Sequence, residues 1–334
     1  MGDKNNENIL SIRGMSKSFG RNRVLDHINL DVKKGTVMGL MGENGAGKST
    51  TMKIITGFMA PSSGSASVAG FDVFENPIEV KKRIGYLPET PPVYSDMYVR
   101  DYLKYVASLK QVDKTKINSF VDRAIEKTNL NQVSHRLIHH LSKGFKQRVG
   151  IAQAIVSDPE VLILDEPTVG LDPKQVAEIR DLIKELRGQH TIILSTHILP
   201  EVQATCERVV IINKGKIVAQ DTIQNLSTLE RGQGKVFIRL RKEIQDLASL
   251  LKEVDGVIGV DNGANKKEWK IDYKGDEEVI GRVSEKIVSS GLGLIELSPS
   301  KVDLEDVFLK LTYGSDNKIE TSEKAAQVSN HVTV

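Results

Sequence analysis

The chain has 334 residues, 39% hydrophobic and 27% charged, enough for one large or two smaller globular domains and unlike a disordered chain or a fibre. Lys and Arg number 46 against 44 Asp and Glu, so no global attraction to nucleic acid or acidic lipid is expected. The single cysteine, Cys206, excludes an internal disulfide framework and a cysteine-based zinc cluster.

No stretch approaches the ~20 apolar residues of a membrane helix, so any link to a membrane must come through a partner. The polar residues 1–8 do not read as a secretory signal. Asn6 stands where a myristoylation pattern calls for Ser or Thr.

Up to about residue 228, short apolar runs alternate with helical patterns and glycine-rich turns. Val37–Met41 and residues 161–164, 192–194 and 209–212 are expected strands of an α/β domain with parallel pairing. Tyr98, Val99, Tyr102, Leu103, Val106 and Leu109 recur at helical spacing, as do Ile117, Phe120, Val121, Ala124 and Ile125. These two helices read as an insertion in the sheet, spanning about residues 90–158. Pro173–Leu186 keeps Val176, Ile179, Ile183 and Leu186 on one face, with proline in its first turn, and reads as scaffold. Cys206 is expected in a helix, packed in the core.

Residues 226–235 carry Ser227, Thr228, Gly232 and Gly234 and read as a linker. A new cycle follows, with strands at 236–240, 269–273 and 292–297 and helices at 244–254, 279–288 and 304–311. This predicts a small α+β domain over 229–314, with Trp269 in its core. The polar residues 315–334 are expected to be disordered.

Gly42-Glu43-Asn44-Gly45-Ala46-Gly47-Lys48-Ser49 matches the pattern G-x-x-x-x-G-K-[ST], with an apolar strand before it and a helical pattern after it. Glycines let such a loop wind so that backbone N–H groups face phosphate oxygens, and the helix N-terminus adds its positive end. Lys48 would reach the β and γ phosphates of ATP, and the Ser49 hydroxyl would bind Mg²⁺. The bland alternative is a glycine-rich turn.

The run 161–164 ends in Asp165 and Glu166. A buried strand that stops at carboxylates puts them at the C-terminal edge of a sheet, where open α/β sheets bind ligands. Asp165 would hold Mg²⁺ through water. Glu166 could polarise an attacking water as general base. The run 192–194 leads through Ser195 and Thr196 to His197, which could bond the γ-phosphate.

Leu141-Ser142-Lys143-Gly144-Phe145-Lys146-Gln147-Arg148 is by itself a turn entering a helix, with Ser142 as N-cap. In this order and spacing it resembles the LSGGQ signature of ABC ATPases. The phosphate loop, the signature, the acidic strand end, Leu171-Asp172 and His197 form that family's full series over about residues 8–228. The resemblance implies a P-loop core with a β subdomain and an inserted helical subdomain. It implies that Phe19 stacks on adenine, a core Phe being the alternative, and that Lys48, Ser49 and Thr50 bind phosphates and Mg²⁺. Glu89 stands where most relatives carry a Gln that touches Mg²⁺ and the water. Asp172 would carry communication between two sites. Ser142 and Gly144 would contact the γ-phosphate held by a second subunit, a copy of this chain or a related ATPase.

Three residues depart from the pattern: Lys143 and Phe145 in the signature, and Glu89. Leu-Ser-Lys-Gly-aromatic and Tyr-Leu-Pro-Glu are similar to the ABC-2-type exporter branch, including gliding-motility-type ATPases. Residues 304–312 are similar to that branch's usual ending. The resemblance therefore implies an ATPase subunit at the cytoplasmic face of a membrane, docked on an integral permease near residues 89–97 and the helical block. The alternative is a soluble ABC ATPase acting on nucleic acid or ribosomes. Neither tandem cores nor a strongly basic segment favours it, and no nucleic acid is expected as a partner.

Overall fold

The computed structural model describes residues 8–227, 234–262, 265–275 and 277–300. The chain forms two compact units, Met1–Ile223 and Gln224–Val334, dividing a few residues before the boundary expected at 228.

The first unit is built on a six-stranded sheet. Its strands are β3 (Val37–Met41), β6 (Ile84–Leu87), β7 (Val161–Asp165), β8 (Thr191–Thr196), β9 (Arg208–Asn213) and β10 (Lys216–Thr222). The order is β10-β9-β3-β8-β7-β6, with only β10 antiparallel to its neighbour. β3, β7 and β8 are buried at every position, as continuous apolar strands covered on both faces must be. Alternation along each strand sorts its side chains into two cores. Leu162, Leu164, Ile192 and Leu194 join the core of the helical block. Val161, Ile163, Ile193, Met38 and Leu40 join the other.

That second core is closed by an antiparallel sheet of β1 (Asn8–Phe19), β2 (Asn22–Lys33), β4 (Ser63–Val68) and β5 (Phe71–Asp72), ordered β2-β1-β4-β5. Leu10, Ile12, Leu30 and Val32 are its inward residues, on the same side as α1 (Lys48–Ile55). Between β6 and β7 lie α3 (Val99–Leu109), α4 (Ile117–Lys127) and α5 (Lys143–Ile155), after α2 (Pro77–Arg83). Val99, Tyr102, Leu103 and Val106 form the buried stripe of α3. The expected helical insertion is therefore present. After β7 come α6 (Pro173–Leu186) and α7 (Leu199–Thr205). Cys206 is the C-cap of α7, half-buried against the helical core rather than inside the helix.

α8 (Ile223–Ser227) leads into the second unit. There β11 (Gly234–Leu240), α9 (Leu247–Leu251), β12 (Val257–Asn262), β13 (Glu268–Tyr273), α10 (Glu277–Ser289) and β14 (Leu294–Ser300) form a split βαβ arrangement. The antiparallel sheet runs β12-β13-β11-β14. Trp269 is buried among Val236, Ile238, Leu251 and Val283, and its Nε1 donates to the Lys266 carbonyl at 3.2 Å.

The second unit departs from the sequence-based expectation in two places. The helix expected at 244–254 is only α9. Asp246 caps it by accepting from Ser249 N at 2.9 Å, and Gly256, at φ +99°, turns the chain soon after. β12 had no counterpart in the sequence reading, because Gly259 interrupts its short apolar pattern at the sheet edge. The expected helix 304–311, the tail 315–334 and most of the linker lie outside the described residues.

Candidate functional site

β3, β8 and β7 are adjacent and parallel. Met41 pairs with Thr196, and Asp165 pairs with Ser195. Three strand ends therefore deliver the phosphate loop, His197 and Glu166 to one edge of the sheet.

The loop between β3 and α1 turns at Gly45 (φ +83°) and Gly47 (φ +112°), a region in which side chains are strained. Gly47 is also crowded: a Cβ there would lie 2.6 Å from Leu25 Cδ2 and 3.2 Å from the Val24 carbonyl. Ala46 N donates to Glu43 O at 3.1 Å. No acidic residue occupies the first turn of α1. Lys48 is buried, and its Nζ donates to the carbonyls of Gly42 at 2.7 Å and Glu43 at 3.1 Å. The same Nζ lies 3.6 Å from Glu166 Oε1.

Asp165 is buried at the end of β7. Its Oδ1 accepts from Ser49 Oγ at 3.4 Å and from Ser195 Oγ. Burial, and then the charge of Asp165, push the Tyr86 hydroxyl up to about 12. Glu166 has a left-handed backbone, φ +48°, and its N–H donates to Ser195 O at 3.1 Å. Both its carboxylate oxygens lie 3.0 Å from His197 Nδ1. A carboxylate only accepts, so that ring nitrogen carries the proton.

A cavity of about 610 Å³ opens at this edge. Asn44, Gly45, Gly47, Lys48, Ser49, Thr50, Glu89, Glu166 and His197 all reach it. Gly42 and Ala46 belong to the loop without lining the cavity, and Asp165 lies behind Ser49. Phe19 is neither a lining residue nor a core residue. It closes β1 at 48% exposure, with Lys17 Nζ 5.2 Å from its ring centroid.

Ser142, Gly144 and Asp172 do not line the cavity of their own chain. Ser142 caps α5, its Oγ accepting from Phe145 N at 3.4 Å. Asp172 caps α6, its Oδ1 accepting from Gln175 N at 2.9 Å.

The sequence reading missed Asn22, Val24 and Val169 on the cavity wall, and nothing in their residue types marks them. It also passed over Ser195, Thr168, Thr196 and Glu201, which form hydrogen bonds around the segments carrying Glu166 and His197. For Ser195 and Thr196 the available signal was their place between the apolar run and His197.

A mostly parallel sheet with this loop between β3 and α1 and acids ending β7 defines a P-loop nucleoside triphosphatase. The family described as ABC transporter matches residues 25–169. The bacitracin transport ATP-binding protein BcrA of Bacillus licheniformis is 31% identical over 316 residues, covering 92% of this chain and 98% of that protein. The lantibiotic transport ATP-binding protein SrtF of Streptococcus pyogenes is 36% identical over 229 residues, 67% of this chain and 97% of that protein. The structure of cbiO1 from Clostridium perfringens, described as part of the ABC transporter complex cbiONQ, aligns with a TM-score of 0.61 at 30% identity. It covers 67% of this chain and 92% of that one. The chain belongs to the ABC transporter ATP-binding proteins: it is an ATP-binding, ATP-hydrolysing transporter subunit. Among the described residues no helix is long and apolar enough to cross a membrane.

Proposed function

We propose that the chain is the motor of an ABC-2-type exporter, peripheral at the cytoplasmic face of a membrane and docked on a separate permease. The near full-length match to BcrA, covering both units, carries this reading. The names of BcrA and SrtF make an antimicrobial peptide the cargo class to test first.

ATP would sit with its phosphates in the loop 42–49. The exposed ring of Phe19 is free to meet the adenine. Lys48 would balance the charge of the β and γ phosphates, and Thr50 would bind beside it. Ser49 and Asp165 offer a hydroxyl and a carboxylate, oxygen donors that suit a hard cation, with Glu89 facing the same cavity. Among the described residues no cluster of three or more His, Cys, Asp or Glu could hold a metal ion. Bound Mg²⁺ would neutralise charge on the phosphates. Glu166 would take the proton of the attacking water, while His197 fixes its carboxylate and meets the γ-phosphate.

Each chain has one phosphate loop and one signature, and Ser142 and Gly144 stand off the cavity of their own chain. This supports a head-to-tail pair, of two copies or with a related ATPase, in which each signature completes the partner's site. Asp172 would link the two sites. ATP would close the pair and hydrolysis would reopen it.

The permease would dock near residues 89–97 and the helical block. Tyr94 is exposed there, edge-on to Tyr102 and Tyr105 at 6.0 and 5.7 Å between ring centroids. Extraction in mild detergent with the full chain as bait tests the reading. A co-purifying multi-span membrane protein supports it. Ribosomes or nucleic acid in its place would overturn it.

A further inference from the structure

Glu201, in the first turn of α7, is an acid 2% exposed that no step above uses. A carboxylate taken out of water is costly unless its oxygens are satisfied. Here Oε1 accepts from Thr168 Oγ1 at 2.5 Å and Oε2 accepts from Thr196 Oγ1 at 2.9 Å. Its nearest cation, Arg180, stands off at 4.0 Å from Nη2 to Oε1.

Thr168 lies two residues after Glu166, in the turn closed by Val169 N donating to Glu166 O at 3.2 Å. Thr196 immediately precedes His197, and its Oγ1 also accepts from Ile198 N at 3.1 Å, bracketing the histidine. We propose that Glu201 is a positioning residue for hydrolysis, clamping the turn that carries Glu166 to the strand end that carries His197.

The clamp explains two features together. Glu166 is held at φ +48°, and strained backbone of that kind persists only where its surroundings over-determine it. The 3.0 Å contact between Glu166 and His197 joins two segments of different strands, and Glu201 ties those same segments from beneath. A carboxylate is an acceptor only, so it compels both hydroxyls to donate and fixes their rotors. Gln has nearly the same volume, but its NH₂ would force one threonine to turn. A packing role would tolerate that exchange; a clamp would not.

The proposal rests on the roles given to Glu166 and His197, and Glu166→Gln is measured in the same assay. If Glu166→Gln keeps its turnover, that reading fails, whatever Glu201 does. With the full chain, Glu201→Gln is expected to lower kcat roughly tenfold or more, with KM for ATP within about twofold, because the phosphate loop is untouched. Thr196→Val should lower kcat in the same way, while Thr196→Ser, which keeps the hydroxyl, should restore it. An unchanged kcat in folded Glu201→Gln overturns the proposal. So does a rise in KM at constant kcat. If Glu201→Gln does not fold, the Thr196 pair decides: equal kcat for Val and Ser overturns the clamp.

Discussion

Lys48 Nζ lies 3.6 Å from Glu166 Oε1, and His197 Nδ1 lies 3.0 Å from both oxygens of the same carboxylate. Both members of the lysine pair are buried. One carboxylate thus joins the buried lysine of the loop 42–49 to the histidine that follows β8. Phosphates entering the loop would compete for Lys48 and leave Glu166 held by His197. Glu166→Gln removes the carboxylate proposed as proton acceptor while keeping the volume. It should retain ATP binding and lose turnover by about 10²- to 10⁴-fold. With ATP, it should accumulate as a closed dimer. Hydrolysis rate, nucleotide binding and light scattering check this together, and an active monomeric variant refutes it.

Glu89 lines the cavity as an exposed carboxylate. Its charge acts on a site already holding Asp165 and Glu166. If it contributes to cation binding, Glu89→Gln should raise the Mg²⁺ concentration for half-maximal hydrolysis by roughly three- to tenfold. Titration of activity against Mg²⁺ measures this. An unchanged rate and Mg²⁺ dependence would remove Glu89 from the site.

The central sheet was legible because its strands are short apolar runs ending in chemistry: Met41 before the loop, Leu164 before Asp165, Thr196 before His197. The helices α3 and α6 were legible by their stripes. β1 and β2 were not assigned from the sequence and only family resemblance suggested that layer, although Ile28, Leu30 and Val32 alternate with polar residues as a half-buried strand does. The clamp of Glu201 was not legible. Its partners Thr168 and Thr196 lie 33 and 5 residues away, and only the fold joins them. At Ser142 residue type leaves two readings open, because a helix cap and a nucleotide contact ask for the same side chain; the cap is present, as is one at Asp172.

Cys206, the only cysteine, packs beside β3. A Cβ added at Gly39 would lie 3.1 Å from its Sγ. Burial, the largest influence, pushes its thiol up to about 12. The thiolate is the nucleophile, so iodoacetamide at pH 8 should leave the folded chain unmodified. Denaturant should bring full, single-site alkylation, read by intact mass. Rapid labelling of the native chain would show that the thiol is open.

Lys110, the C-cap residue of α3, donates through Nζ to the carbonyls of Lys81 at 2.8 Å and Ile84 at 2.7 Å. Burial, and then the charge of Lys81, push its ammonium down from 10.5 to about 8. Below about 8 both folded and unfolded chains hold this proton, and the folded state keeps a desolvated charge. Between about 8 and 10.5 the unfolded chain alone retains it, so this group makes stability rise with pH across that window. Lys110→Met keeps the apolar stem and abolishes the titration. Trp269 reports only on the second unit, so urea unfolding should be followed by circular dichroism. The midpoint of the wild type, relative to Lys110→Met, should increase from pH 7.5 to pH 10 by roughly a few tenths molar or more. A constant difference between the two proteins across that range would mean that Lys110 titrates as an ordinary exposed lysine.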